Sequence, residues 1–279
     1  MKFILVLIFF VSSYNFQVKA QIFTLKDSIT IDIPDSYILL QSDAFNSLYF
    51  ASYQNNSLIK ITQDFKKYTL ENFNPTKKIF IVNSLFVVMW DKVNKTLEFF
   101  DDKLNLTQDP VKILPDQIIN SQLLYVQDNK NLTYFDEFNS GSFIQYDYRN
   151  DKNLVFSNSL TGKILKDFQL KDIYATKYSR YLLAKKISKQ DSLNNFRIIR
   201  QNNMNGEVQY FDIPDLNYYF WNENKFEWID KNYFYSYDFE NEPKKIKLPA
   251  KAENYYILND QLFLWKSKVM YLYTLKSEI

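Results

Sequence analysis

Apolar residues in this chain return at every second position in short runs, and polar turns interrupt each run before a stripe of period 3.6 can form. Successive side chains of an extended strand point to opposite faces, so the pattern is that of β-strands and excludes a mainly helical core. Between residues 37 and 73 four strands are predicted, at 37–41, 48–53, 58–62 and 68–73. The next window repeats the plan at 79–82, 85–90, 97–100 and 111–114. The intervening turns are rich in Asn, Asp, Ser and Gln, and Asn and Asp enter left-handed conformations at low cost in a chain with only 3 Gly.

The second strand of each unit is the easiest to align, with starts near residues 48, 85, 123, 154, 181, 226 and 262, a mean step of about 36. A loose repeat of that length carrying four short strands predicts an all-β fold, a β-propeller of six or seven four-stranded blades. The short unit near Leu154 leaves the count open between six and seven. The last unit supplies three strands, at 255–258, 262–266 and 270–275, and an N-terminal strand at 22–33 is expected to complete it and close the ring. A β-sandwich and a β-solenoid are the alternative architectures.

Leu48-Tyr49-Phe50-Ala51-Ser52, followed by Asn55-Asn56 and then Leu58-Ile59-Lys60-Ile61, resembles the NHL and YWTD classes of propeller repeat. In these a strand ends in a small polar pair, an Asn-containing turn follows, and a branched strand returns. Weaker echoes lie at 123–128 with 132–135 and at 154–157 with 162–165, so the resemblance covers about three units. Ser57 stands where NHL repeats commonly carry Arg, and no unit contains the YWTD tetrapeptide. The resemblance implies architecture and a tendency toward protein or glycan binding, and it implies no catalytic residue.

The N-terminus has the order of a secretory signal: a basic start at Lys2, an apolar run from Phe3 to Val11, and a polar tail closing with Val18-Lys19-Ala20. Cleavage between Ala20 and Gln21 is expected, giving residues 1–20 as signal peptide and 21–279 as a single domain, secreted or held in the lumen of the secretory pathway. The apolar run makes ~14 Å of helix against a hydrocarbon core of ~30 Å, and no later stretch is long and apolar enough to span, so no membrane span is expected in the mature chain. Loss of Lys2 and Lys19 takes the net charge from +2 to zero, which argues against a nucleic-acid partner.

The chain has neither His nor Cys. Triads built on His, thiol catalysis, and zinc sites of His or Cys are therefore excluded, and stability must come from burial, for which 18% aromatic residues provide the means. No cofactor or metal site is expected, because Gly141, Gly162 and Gly206 stand singly and no EF-hand loop occurs. Carboxylates remain: Asp101-Asp102, Asp136-Glu137, Asp212, Asp215 and Asp230 are candidates for glycoside cleavage, which needs two of them flanking one sugar bond. Neighbouring carboxylates on a strand point to opposite faces, so these pairs read as turn and surface acids and no catalytic residue is assigned. Residues 218–239 hold eleven aromatics, among which Trp221 and Trp228 are candidate binding residues as well as candidate core. Asn-x-Ser/Thr sequons occur at Asn55, Asn94, Asn105 and Asn131. Asn55, Asn94 and Asn131 are expected between the second and third strands of successive units, where glycans would cover one face.

These features predict a secreted or lumenal non-catalytic binding module for a protein or glycan partner. The alternatives are a carboxylate-dependent glycoside hydrolase or lyase on the same scaffold and a lumenal subunit of a membrane-associated assembly.

Overall fold

The computed structural model describes residues 21–277 other than 32, 35, 44, 46, 63, 65, 75, 84, 114–117, 119–122, 138–139, 156–159, 161–164, 188–194, 214–215, 223–224, 253, 259 and 267. The predicted leader, Ala20 included, lies outside the described residues, while Gln21 opens the first strand, β1 (Gln21–Thr30). Six four-stranded antiparallel sheets follow. Blade 1 is β2 (Ile38–Ser42), β3 (Leu48–Ser52), β4 (Ser57–Ile61) and β5 (Lys67–Leu70). Blade 2 is β6 (Lys78–Asn83), β7 (Phe86–Asp91), β8 (Thr96–Phe100) and β9 (Val111–Lys112). Blade 3 is β10 (Leu124–Val126), β11 (Asn131–Asp136), β12 (Ser142–Asp147) and β13 (Lys152–Val155). Blade 4 is β14 (Phe168–Ala175), β15 (Ser179–Lys186), β16 (Phe196–Asn202) and β17 (Val208–Ile213). Blade 5 is β18 (Tyr218–Asn222), β19 (Lys225–Asp230), β20 (Tyr233–Tyr237) and β21 (Lys244–Lys247). Blade 6 takes β22 (Asn254–Leu258), β23 (Gln261–Lys266) and β24 (Val269–Ser277) from the C-terminus and β1 as its outer strand.

The sheets pack face to face in a ring, as six apolar cores show, each drawing side chains from two neighbouring blades. Period-two alternation explains how one strand serves two cores: in β3, Leu48 and Phe50 pack toward Phe263 and Trp265 of blade 6, while Tyr49 and Ala51 pack toward Val87 and Met89 of blade 2. A strand buried on both faces needs large apolar side chains at every position, which accounts for the high aromatic content. The core between the last and first blades closes the circle, so the fold is a six-bladed β-propeller, with the predicted N-terminal strand in place.

The count of seven second strands is corrected here. Residues near 123 form the first strand of blade 3 and those near 154 its fourth, and the true second strand is β11. The remaining starts, at 48, 85, 181, 226 and 262, each fall within two residues of a second strand.

A recurring Asp-x-x-Asn stabilises the turns. Asp91, Asp128, Asp147 and Asp238 each accept hydrogen bonds from the backbone N–H and side-chain amide of the Asn three residues on, at 2.7–3.2 Å. The left-handed residues in the turns include Asn56 and Asp151, as the composition leads one to expect, but also Lys95, Lys231 and Lys268. Hairpin closure dictates the backbone there, whatever the residue.

The N–H groups of Glu240 and Asn241 hold the Asp238 carboxyl well down, at about 2. At Asp147 desolvation opposes the shift but is outweighed by the Asn150 amide, Lys130 and backbone N–H groups, and its carboxyl too is pushed down to about 2. A carboxyl that binds its proton less tightly when folded contributes stability above its unfolded pKa of about 3.9 and loses it as the pH falls toward the folded value. The thermal midpoint is therefore expected to drop below about pH 4. Asp238→Asn should flatten that slope; equal slopes for variant and wild type would remove the turn carboxylate from the account.

Candidate functional site

The first strands of the six blades, β2, β6, β10, β14, β18 and β22, surround the ring axis and enclose a cavity of about 350 Å³. Its wall is formed by residues 39–41, 78–81, 125, 172–174, 218–221 and 254–256. Blade 5 gives the most aromatic segment, Tyr218-Tyr219-Phe220-Trp221. Its alternation sends Tyr219 and Trp221 toward blade 4 and Tyr218 and Phe220 toward blade 6. Trp221 lies parallel to Tyr174 with centroids 5.6 Å apart, and Tyr174 meets Tyr125 edge-on at 5.0 Å. Tyr125 in turn meets Phe80 edge-on at 5.9 Å, and Phe220 meets Tyr256 at 5.5 Å. The inner rings thus hold one another in place around much of the axis.

One carboxylate and one ammonium sit among them. Asp172 follows a β-bulge in β14, where the register shifts between Leu170 and Asp172. Leu170 and Ile173 pack into the same core against blade 3, although three positions separate them. The bulge supplies that extra residue and turns Asp172 away from the apolar face, toward blade 5. There its carboxylate accepts a hydrogen bond from Trp221 Nε1 at 3.0 Å, with Tyr219 beside it in the channel wall. Lys78, from blade 2, reaches past blade 3 to place Nζ 3.3 Å from Asp172 Oδ1, and donates on the way to the Leu124 carbonyl at 3.3 Å. Burial, with Tyr174, Tyr256 and Asp172 nearby, pushes the Tyr125 phenol far above its usual range. Burial and Asp172 do the same for Tyr219. Both hydroxyls are therefore neutral hydrogen-bonding groups at any physiological pH. Gln41 and Asn254 add amides to the wall, Gln41 donating to the Ile81 carbonyl at 3.4 Å.

The residues singled out in the sequence fall elsewhere, with one exception. Trp221 lines the channel, whereas Trp228 is buried in the core between blades 4 and 5, stacked on Tyr235 at 5.0 Å. Asp101 closes a turn by accepting from the N–H groups of Lys103 and Asn105, and Asp102 is half-buried beside it. Asp136 is buried at the end of β11 and accepts from the Ser140 N–H, while Glu137 is exposed. Asp212 pairs with Arg197 at 2.6 Å on the outer strand of blade 4, and Asp230 ends β19. Asp215 lies outside the described residues. None of the described candidate acids lines the channel, and no group of three or more acids able to hold a metal ion occurs among the described residues.

The sequons divide between the two faces. Asn55 and Asn94 lie between second and third strands, as expected. Asn131 instead opens β11, next to the turn between first and second strands, because the strand before it is the first of its blade. Consecutive turns of an antiparallel meander lie at opposite ends, so Asn131 and Asn105, which follows a third strand, belong to the other face. One shared glycan-covered face is thereby corrected.

Lys78, Asp172, Tyr125 and Tyr174 were not anticipated from the sequence. The local signal is a Lys-Asp pair set between apolar residues of one strand, Leu170-Lys171-Asp172-Ile173-Tyr174-Ala175. No helix among the described residues is long and apolar enough to cross a membrane.

No protein-family model matches the chain, and no curated protein matches it in sequence. Solved structures do match in shape. A streptogramin B lyase aligns at 14% identity and TM-score 0.52, covering 91% of this chain and 98% of that one. Virginiamycin B lyase from Staphylococcus aureus aligns at 13% identity and TM-score 0.47, over 88% and 82% of the two chains. The N-terminal domain of Nup159 aligns at 11% identity and TM-score 0.48, over 87% and 76%. At such identities the likeness is one of fold, and the six inter-blade cores make that fold a β-propeller.

Proposed function

We propose that the protein is a non-catalytic interaction module, secreted or lumenal, that engages a protein or glycan partner at the axial channel and its rim. The observation that carries this reading is the channel wall: interlocked aromatic rings from several blades around a single ion pair. Rigid Tyr and Trp side chains lose little entropy on binding and supply both apolar area and hydrogen bonds, which makes them effective anchors. The absence of His and Cys, and the presence of one carboxylate, Asp172, among the described lining residues, favour binding over catalysis by paired acids. The N-terminal leader supports the secretory setting.

Gentle purification from the native source, with light scattering and mass spectrometry of the whole peak, tests the proposal. A mature N-terminus at Gln21 and a stoichiometric partner protein or glycan are expected, the partner lost in Tyr174→Ala. Turnover of a glycoside by the purified protein, abolished by Asp172→Asn, would replace the binding module with an enzyme.

A further inference from the structure

We infer that the axial channel binds a neutral saccharide of one or two rings; this rests on the channel being the binding site of the proposed module. Three observations point that way. The first is charge. Lys78 and Asp172 lie 3.3 Å apart, and no other charged side chain occurs among the described lining residues. A cation or anion entering this space would meet no uncommitted countercharge among those residues, because Lys78 and Asp172 already serve each other.

The second is the polar lining. Tyr125, Tyr174, Tyr219 and Tyr256, from four blades, bring phenols to one cavity, and Gln41 and Asn254 bring amides. Tyr125 meets Tyr174 at 5.0 Å, and with Tyr256 and Asp172 both line the same cavity. An apolar ligand covering these groups would offer them no hydrogen bond. A polyhydroxylated ligand exchanges hydrogen bonds with each. The rings that carry the hydroxyls are held by their neighbours, so little order has to be imposed on binding.

The third is shape. Trp221 and Tyr174 are stacked on each other, 3° from parallel, which leaves no slot between them for a flat aromatic ligand such as a nucleobase. At about 350 Å³ the cavity falls at the lower end of small-molecule sites, roughly 300–1,000 Å³, and suits a compact ring or two rather than a long chain.

The test is titration of the full-length mature protein with glucose, galactose, N-acetylglucosamine, maltose, cellobiose and chitobiose, followed by calorimetry and tryptophan fluorescence. Of the 4 Trp, Trp90, Trp228 and Trp265 are buried between blades, so a channel ligand reports through Trp221. At least one neutral sugar is expected to bind saturably and shift the emission. Trp221→Phe should abolish the optical change and, because the indole lines the channel and donates to Asp172, weaken the calorimetric binding as well. Tyr125→Phe, which removes one hydroxyl, should weaken binding roughly tenfold with an unchanged thermal midpoint. No saturable binding of any of these sugars at tens of millimolar, or tighter binding of glucosamine or glucuronate than of glucose, overturns the inference. The interaction-module reading survives either result if Tyr174→Ala still releases the native partner, and falls with the inference if it does not.

Discussion

Deletion of β1, residues 21–30, is expected to abolish the cooperative fold and leave a chain that aggregates or binds hydrophobic dyes at ambient temperature. The strand forms nine register pairs with β24 and contributes Phe23 to the core between blades 5 and 6, where it meets Phe234 edge-on at 5.7 Å. At about 0.5–1 kcal/mol net per hydrogen bond, its ladder and the burial of Phe23 come to roughly 5–10 kcal/mol, comparable with the whole stability of an ordinary domain. The loss would also be topological. Without β1 the blade that joins the chain ends has three strands, and β24 presents an unpaired edge to other molecules. Adding a synthetic peptide of residues 21–33 in trans should restore part of the thermal transition, because the edge it pairs with is still formed from the C-terminus. A deletion variant with an unchanged thermal midpoint would show that β1 does not close the ring.

Lys60→Met is expected to cost about 3 kcal/mol and lower the thermal midpoint by roughly 6–12 °C. Lys60 lies in β4, which is buried at all five positions, and its Nζ stands 3.6 Å from Asp43 Oδ2 and over the ring of Tyr49. The two side chains are 3% and 0% exposed, so neither charge is shared with water. Removing the cation leaves a buried carboxylate whose remaining hydrogen-bond donors include the N–H groups of Phe45 and Ser47 and the Tyr49 hydroxyl. Those donors limit the loss to the lower end of the range for a broken buried pair. The double variant Asp43→Asn with Lys60→Met should recover part of it, since it removes the uncompensated charge while keeping the side-chain shape. A loss below about 1 kcal/mol in Lys60→Met would place this pair with ordinary surface ion pairs.

The strands were legible where local pattern suffices. Predicted strands at 48–53, 58–62 and 97–100 match β3, β4 and β8 to within a residue, because alternation against a buried surface is a local signal. Rank within a blade was not legible. Residues 123–128 and 131–136 both alternate, and only pairing decides that the first lines the axis and the second stands behind it. Taking one for the other moved Asn131 to the wrong face, and taking the fourth strand of that blade, near 154, for a second strand added a seventh unit. The channel was legible in one residue, Trp221. Lys78 and Asp172 are 94 positions apart and meet through the closure of the ring, a relation that no spacing in the chain encodes.

What the sequence determined by itself is the class of fold and the chemistry it forgoes. Period-two burial yields strands, four strands to a repeat yield blades, and a chain without His or Cys lacks the thiol and imidazole routes to catalysis. The N-terminal strand that completes the last blade was legible too, whereas the tertiary structure alone decided that there are six blades and that a bulge turns Asp172 toward Trp221 and Lys78. The division has a physical cause: the fate of a side chain within a strand depends on its immediate neighbours, whereas a site on the axis is built by contacts between blades that chain length separates and ring closure brings together.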